Sequence, residues 1–201
     1  MSLAANPPHK NELRRMGVQT LDISFSQELA AQDRLIELLS QAPPLIDLSR
    51  LRHLRLGASD LRLATCWIQL RADSLVQLDL ELKRDWLTLG ASEEDIVLDR
   101  LTTLRFDISG RGAMAAALRI LRMLRALLLT DILSSSLDAN FHITADDHFH
   151  WSALDSLISR QHFPSLSTVC FTTLSGQPLV REWMPDLNKS GMLVLNSLPT
   201  V

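Results

Sequence analysis

The chain reads as an α/β protein, a short irregular solenoid with a curved parallel sheet on its inner side and helices on its convex side. Three observations predict this class. A short apolar motif recurs along the chain, apolar and polar residues alternate strictly within each copy, and the stretches between copies change to helical periodicity. Leu supplies 41 of the 201 residues while aromatics make up only 5% and Tyr is absent, so one residue type fills equivalent core positions again and again.

Each copy has an apolar residue, two others, and then the alternation. Val18-Gln-Thr-Leu21-Asp-Ile23 is the first. Leu51-Arg-His-Leu54-Arg-Leu56, Leu75-Val-Gln-Leu78-Asp-Leu80-Glu-Leu82 and Leu101-Thr-Thr-Leu104-Arg-Phe106-Asp-Ile108 follow in the same register. Leu166-Ser-Thr-Val169-Cys-Phe171 is a later copy, Leu137-Asp-Ala-Asn140-Phe141-His142-Ile143 keeps the alternation from a shifted start, and Met192-Leu-Val-Leu195 makes a short last strand. A period of two puts every apolar side chain of a strand on one face, so each motif is a strand with one buried face. The centres Leu21, Leu54, Leu78, Leu104, Phe141 and Val169 are 33, 24, 26, 37 and 28 residues apart. Connections of that length are crossovers, which make about six strands parallel. The expected core is Leu21, Ile23, Leu54, Leu56, Leu78, Leu80, Leu104, Phe106, Phe141, Ile143, Val169 and Phe171.

Between strands the pattern becomes helical. Ala31, Leu35, Leu38 and Leu39 share one face of a helix that Ser24 and Gln27 open as a capping box and Pro43-Pro44 ends. Met114, Leu118, Leu121, Leu128 and Ile132 predict a helix over 114–133 closed by Ser134-Ser-Ser, and Trp151, Leu154, Leu157 and Ile158 predict another, ending before Pro164. Residues 58–74 and 83–100 read as irregular convex segments, and 26–40 and 179–198 are expected to help cover the ends of the repeat array. The division is an N-terminal extension over 1–17 and one domain over 18–201.

Charge and composition narrow the function classes. A net charge of −3 gives no general attraction to phosphate backbones, so nucleic acid is not an expected partner. No apolar run approaches the roughly 20 residues of a membrane span, and the N-terminus lacks the basic and apolar regions of a secretory signal, so no membrane association and a cytoplasmic location are expected. Cys66 and Cys170 each lie in an apolar stretch, the setting of a buried reduced thiol. A Gly-rich phosphate loop, a Gly-x-Ser-x-Gly elbow, Cys-x-x-Cys and His-Glu-x-x-His are all missing, so neither an enzyme nor a cofactor is expected.

The candidate site comes from the residues between the strand apolars, which point away from the core. They are Thr20, Asp22 and Ser24; His53 and Arg55; Gln77, Asp79 and Glu81; Thr103, Arg105 and Asp107; Asn140, His142 and Thr144; Thr168, Cys170 and Thr172. At one level Asp22, Arg55, Asp79 and Arg105 alternate in sign, which suits a ladder of cross-strand ion pairs as well as a partner-binding surface. Asp22, Arg55, Asp79, Glu81, Arg105, Asp107, Asn140 and His142 are the candidate partner-binding residues. His142-Ile-Thr-Ala-Asp146-Asp147-His148-Phe-His150 gathers His and Asp without a recognised metal-ligand spacing and reads as a turn and helix start; a metal-dependent hydrolase is the lesser alternative. Arg119, Arg122 and Arg125 read as a solvated helix surface, Glu93-Glu-Asp95 as an exposed acidic turn, and Trp67, Trp86, Trp151 and Trp183 as core.

The Leu-x-x-Leu-x-Leu strands with their convex connections, over most of residues 18–172, resemble the leucine-rich repeat. That family places an Asn three residues after the second strand Leu, where this chain has Ser26, Ser59, Lys83, Ser109 and Leu174, so the repeat is irregular. The segment Trp151-Ser-Ala-Leu-Asp-Ser-Leu-Ile, with Phe163-Pro-Ser-Leu-Ser-Thr-Val and Trp183-Met-Pro-Asp-Leu-Asn-Lys-Ser-Gly-Met-Leu-Val-Leu, is similar to the degenerate repeats of fungal F-box-like proteins. The resemblance implies a protein-binding scaffold that captures a substrate for ubiquitination. The 17 residues before the first strand are too few for the F-box helices themselves. Binding of a glycan or small ligand is the alternative function.

Overall fold

A computed structural model of the chain describes residues 18–24, 48–57, 73–82, 95–108, 113–136, 148–158, 163–173 and 177–197, with the single positions Arg34, Glu37, Ile68 and Gln69. The strands are β1 (Thr20–Ser24), β2 (His53–Gly57), β3 (Gln77–Leu82), β4 (Ile96–Val97), β5 (Thr103–Ile108), β6 (Leu124–Arg125), β7 (Asp131–Ser136), β8 (Thr168–Thr173) and β9 (Leu193–Ser197). Seven of them form one sheet in the order β1-β2-β3-β5-β7-β8-β9, and β4 pairs with β6 in a two-stranded one. Every pairing is parallel. The seven-stranded order follows the sequence without a reversal, so this sheet has no switch point of the kind at which doubly wound α/β proteins bind their ligands.

The register is set at the approach to each strand. Leu51, Leu101, Leu129 and Leu166 each donate their N–H to the carbonyl three residues earlier, at 3.0–3.4 Å, closing a turn that drops a leucine into the core. The next two N–H groups then converge on a single carbonyl of the preceding repeat. Arg52 and His53 donate to Gln19, Val76 and Gln77 to Arg52, Thr102 and Thr103 to Val76, Thr130 and Asp131 to Thr102, and Ser167 and Thr168 to Thr130, all at 2.8–3.2 Å. This shared acceptor aligns Leu54, Leu78, Leu104, Ile132 and Val169 across the sheet, with Leu56, Leu80, Phe106, Ser134 and Phe171 at the next level, and the pairing of β8 with β9 adds Leu193 and Leu195 to the two rows. A slip of one residue would turn every such side chain to the wrong face.

The fifth strand of the large sheet corrects two sequence expectations. It is Asp131–Ser136, not the segment around Phe141, and the predicted helix over 114–133 stops at Met123. Leu129-Thr-Asp-Ile132-Leu133-Ser134 does follow the motif of Leu101-Thr-Thr-Leu104-Arg-Phe106, but with Ser where Phe stands and Leu where Arg stands, so its alternation is hidden. Pairing of Leu124 with Ile96, and the two bonds to Thr102, provide backbone partners that continued helix would forgo. Phe141 and Ile143 lie outside the described residues, as do most of the predicted helix after Ser24, Trp67 and Trp86; Arg34 and Glu37 are helical and exposed.

Helices α1 (Ala113–Met123), α2 (His148–Leu157), α3 (Gln177–Trp183) and α4 (Pro185–Lys189) pack in one core with the strand leucines. In α1 the apolar residues Met114, Leu118 and Leu121 are buried together with Ala113, Ala116 and Ala117, whose small side chains let the helix approach β3 and β5 closely. Trp151, Leu154 and Ile158 bury the α2 face, and Trp151 meets Phe171 edge-on with ring centroids 5.0 Å apart. Trp183 is buried as well, whereas Leu21, expected in the core, is only half-buried because β1 has a neighbour on one side alone. Among the described residues no helix is long and apolar enough to cross a membrane.

Candidate functional site on the polar face of the sheet

The residues alternating with the core leucines form rows across the strands. Asp22, Arg55, Asp79, Arg105, Leu133, Cys170 and Val194 stand abreast, as the sequence predicts for the first four. On one side of this row lie Thr20, His53, Gln77, Thr103, Asp131 and Thr168; on the other are Glu81, Asp107, Ser135, Thr172 and Asn196. Candidates far apart in sequence are thereby brought onto one surface.

Contacts within that surface link one row to the next, both along single strands and diagonally between strands. Asp79 Oδ2 is 3.0 Å from His53 Nε2, and its Oδ1 accepts a 3.0 Å bond from Gln77 Nε2. Arg105 Nε donates to Asp107 Oδ1 at 3.1 Å, and Arg55 reaches past β3 to Asp107 Oδ2 at 3.6 Å. Asp79 and Asp107 are only 7% and 3% exposed, so the two acids are sunk into the face, Asp107 beside the more exposed Arg55 and Arg105 and Asp79 beside His53 and Gln77. A carboxylate so buried needs partners, which makes Asp79 and Asp107 structural anchors of the charged half. Glu81, half-buried beside Asp107, and the exposed Asp22 complete its acidic component.

Beyond β5 the surface changes character. Leu133 and Cys170 are half-buried on it and Val194 is 41% exposed, so the central row passes from charged to apolar. The thiol of Cys170 accepts a 3.2 Å bond from Asn196 Nδ2 and is not in a disulfide. Burial pushes its pKa above the ordinary thiol value, with a hydrogen bond to Thr172 acting in the opposite direction. A thiol held up in this way stays protonated at neutral pH and is a poor nucleophile. Cys170 alternates with Val169 and Phe171 on β8 and so faces away from the core, as its place among the outward residues predicts, which corrects the reading of its apolar stretch as the setting of a buried thiol.

Asn140, His142 and Cys66 lie outside the described residues, as does the His142 to Asp147 segment. His150 is half-buried on α2 and has a partner. Among the described residues no three His, Cys, Asp or Glu side chains are grouped to hold a metal ion. Arg125, read with Arg119 and Arg122 as one helical surface, instead lies in β6 and pairs with Asp95 of the acidic turn at 3.2 Å, both side chains being about half exposed.

Sequence reasoning missed Leu133 and Val194 as face residues, together with the roles of His53 and Gln77. Leu133 was hidden by the false helical period; Val194 follows from the alternation of Leu193 and Leu195 once the last strand is accepted. Comparison with protein-family models, with curated proteins and with solved structures returns no match to this chain.

Proposed function

We propose that the chain is a protein-binding repeat scaffold, a short leucine-rich-repeat-like solenoid that takes its partner on the polar face of the parallel sheet. The observation that supports this reading is the central row of one continuous surface, which is charged on β1, β2, β3 and β5 and passes to Leu133, Cys170 and Val194 on β7, β8 and β9, flanked there by polar residues such as Asp131, Thr168 and Asn196. An apolar patch beside anchored charges matches the make-up of a protein interface, where apolar contact supplies affinity and charge selects the partner and its orientation. Adjacent repeats each contribute one or two side chains, so a partner is read by residues from the whole chain.

The resemblance to fungal F-box-like repeats narrows the partner to a protein captured for ubiquitination. An F-box encoded upstream in the same gene would supply the ligase connection. The test is recovery of partners from native cell extract, comparing the wild-type protein with Glu81→Lys plus Val194→Glu. Arg105 is left intact because it pairs with the buried Asp107. Loss of specific partners at an unchanged melting temperature is the expected result; identical partner sets from the two proteins would remove the polar face from consideration.

A further inference from the structure

At the edge where β1, β2, β3 and β5 begin, a cavity of about 320 Å³ is lined by Gln19, Ser49, Arg50, Arg52, Ser74 and Arg100. None of these residues belongs to the strand face described above. Their convergence follows from the repeat. The bonds Leu51 N–H to Leu48 and Leu101 N–H to Leu98 close turns that put Arg50 and Arg100 at equivalent corners, and the turn carrying Ser74 lies between them. With strands 4.7–4.9 Å apart, the two arginine backbones are roughly 10 Å from each other, a gap that their side chains span from either side. Arg52 joins from the start of β2, tied by its N–H to Gln19 and by its carbonyl to Val76 and Gln77.

Three permanent positive charges therefore stand together on a chain whose net charge is −3. Arg50, Arg52 and Arg100 are exposed, and none of them has an ion pair among the described residues. Asp73 and Asp99 lie on the same turns but do not line the cavity. A single carboxylate is satisfied by one bidentate guanidinium, whereas a phosphate monoester has close to two charges and three acceptor oxygens, which need several donors. The volume lies at the lower end of ligand pockets, enough for a phosphate and the group that carries it. Among the described residues no aromatic side chain lines the cavity, so they offer no platform for the stacking that holds nucleic-acid bases.

We propose that this cavity binds a phosphate monoester, held by Arg50, Arg52 and Arg100 with Gln19 and Ser74 as neutral donors. The monoester is either a phosphorylated side chain or a small phosphorylated molecule. Calorimetric titration of the full chain with inorganic phosphate, a phosphoserine peptide and the same peptide unphosphorylated tests this. Both phosphate probes bind and the unphosphorylated peptide does not, and added salt weakens the binding. Arg50→Glu plus Arg100→Glu weakens it by about tenfold or more, while Arg181→Glu on α3, which does not line the cavity, leaves it unchanged. A phosphopeptide tighter than inorganic phosphate identifies the side-chain source; equal affinities identify the small molecule, and either outcome sustains the site. Absence of binding by both phosphate probes overturns the proposal. So does binding that is unaltered in the double variant or, should that variant fail to fold, in Arg100→Gln.

Discussion

Asp155 illustrates how much of this molecule is decided by single side chains. It is 4% exposed on α2, and its two oxygens accept the backbone N–H groups of Asp186 and Leu187 at 3.0 and 2.9 Å. Those are open donors of the first turn of α4, whose own N-cap residue, Met184, supplies no side-chain bond. A carboxylate from another helix therefore does the capping and ties α2 to α4. Asp155→Ala leaves two N–H groups without an acceptor and is expected to cost about 1–3 kcal/mol, with Asp155→Asn costing less because one oxygen remains. Urea denaturation of the three proteins checks this order; equal stabilities would show the bonds to be dispensable. Nothing in Leu154-Asp-Ser distinguishes Asp155 from a solvent-facing helix residue, because its partners are 31 and 32 residues further along the chain. The same holds for His53 and Gln77, whose part in holding Asp79 depends on register and not on local pattern.

At the scale of elements, β2, β3, β5 and β8 were legible because their alternation is strict. β7 was not, because Leu133 and Ser134 reverse the alternation and the leucines before it repeat at helical spacing. Long-range pairing to β5 and β8 then outweighs the local preference. The strand assignment makes opposite predictions for two adjacent residues. Ile132 is 2% exposed in the core, so Ile132→Ala is expected to lose about 2–5 kcal/mol, whereas Leu133→Ala on the polar face should lose far less. Thermal or urea unfolding of both variants measures the difference. A larger loss at Leu133 would invert the register of β7 and with it the apolar end of the central row.

For the molecule as a whole, parallel strands in sequential order and a single core joining sheet to helices were predictable from repetition alone. The polar face was legible on β1, β2, β3, β5 and β8 but not on β7 and β9, and its central charged row has the predicted register. Its energetics were not, since the depth of Asp79 and Asp107 and the reach of Arg55 across β3 exist only once seven strands are assembled. A protein partner is proposed to lie on this face, not on the helices behind it. The most direct measurement places a photo-reactive amino acid at Thr172, on the polar face, and separately at Arg122, exposed on α1. Illumination in native extract is expected to give a discrete cross-linked protein from position 172 and none from position 122. A partner captured from position 122 and not from position 172 would contradict the account.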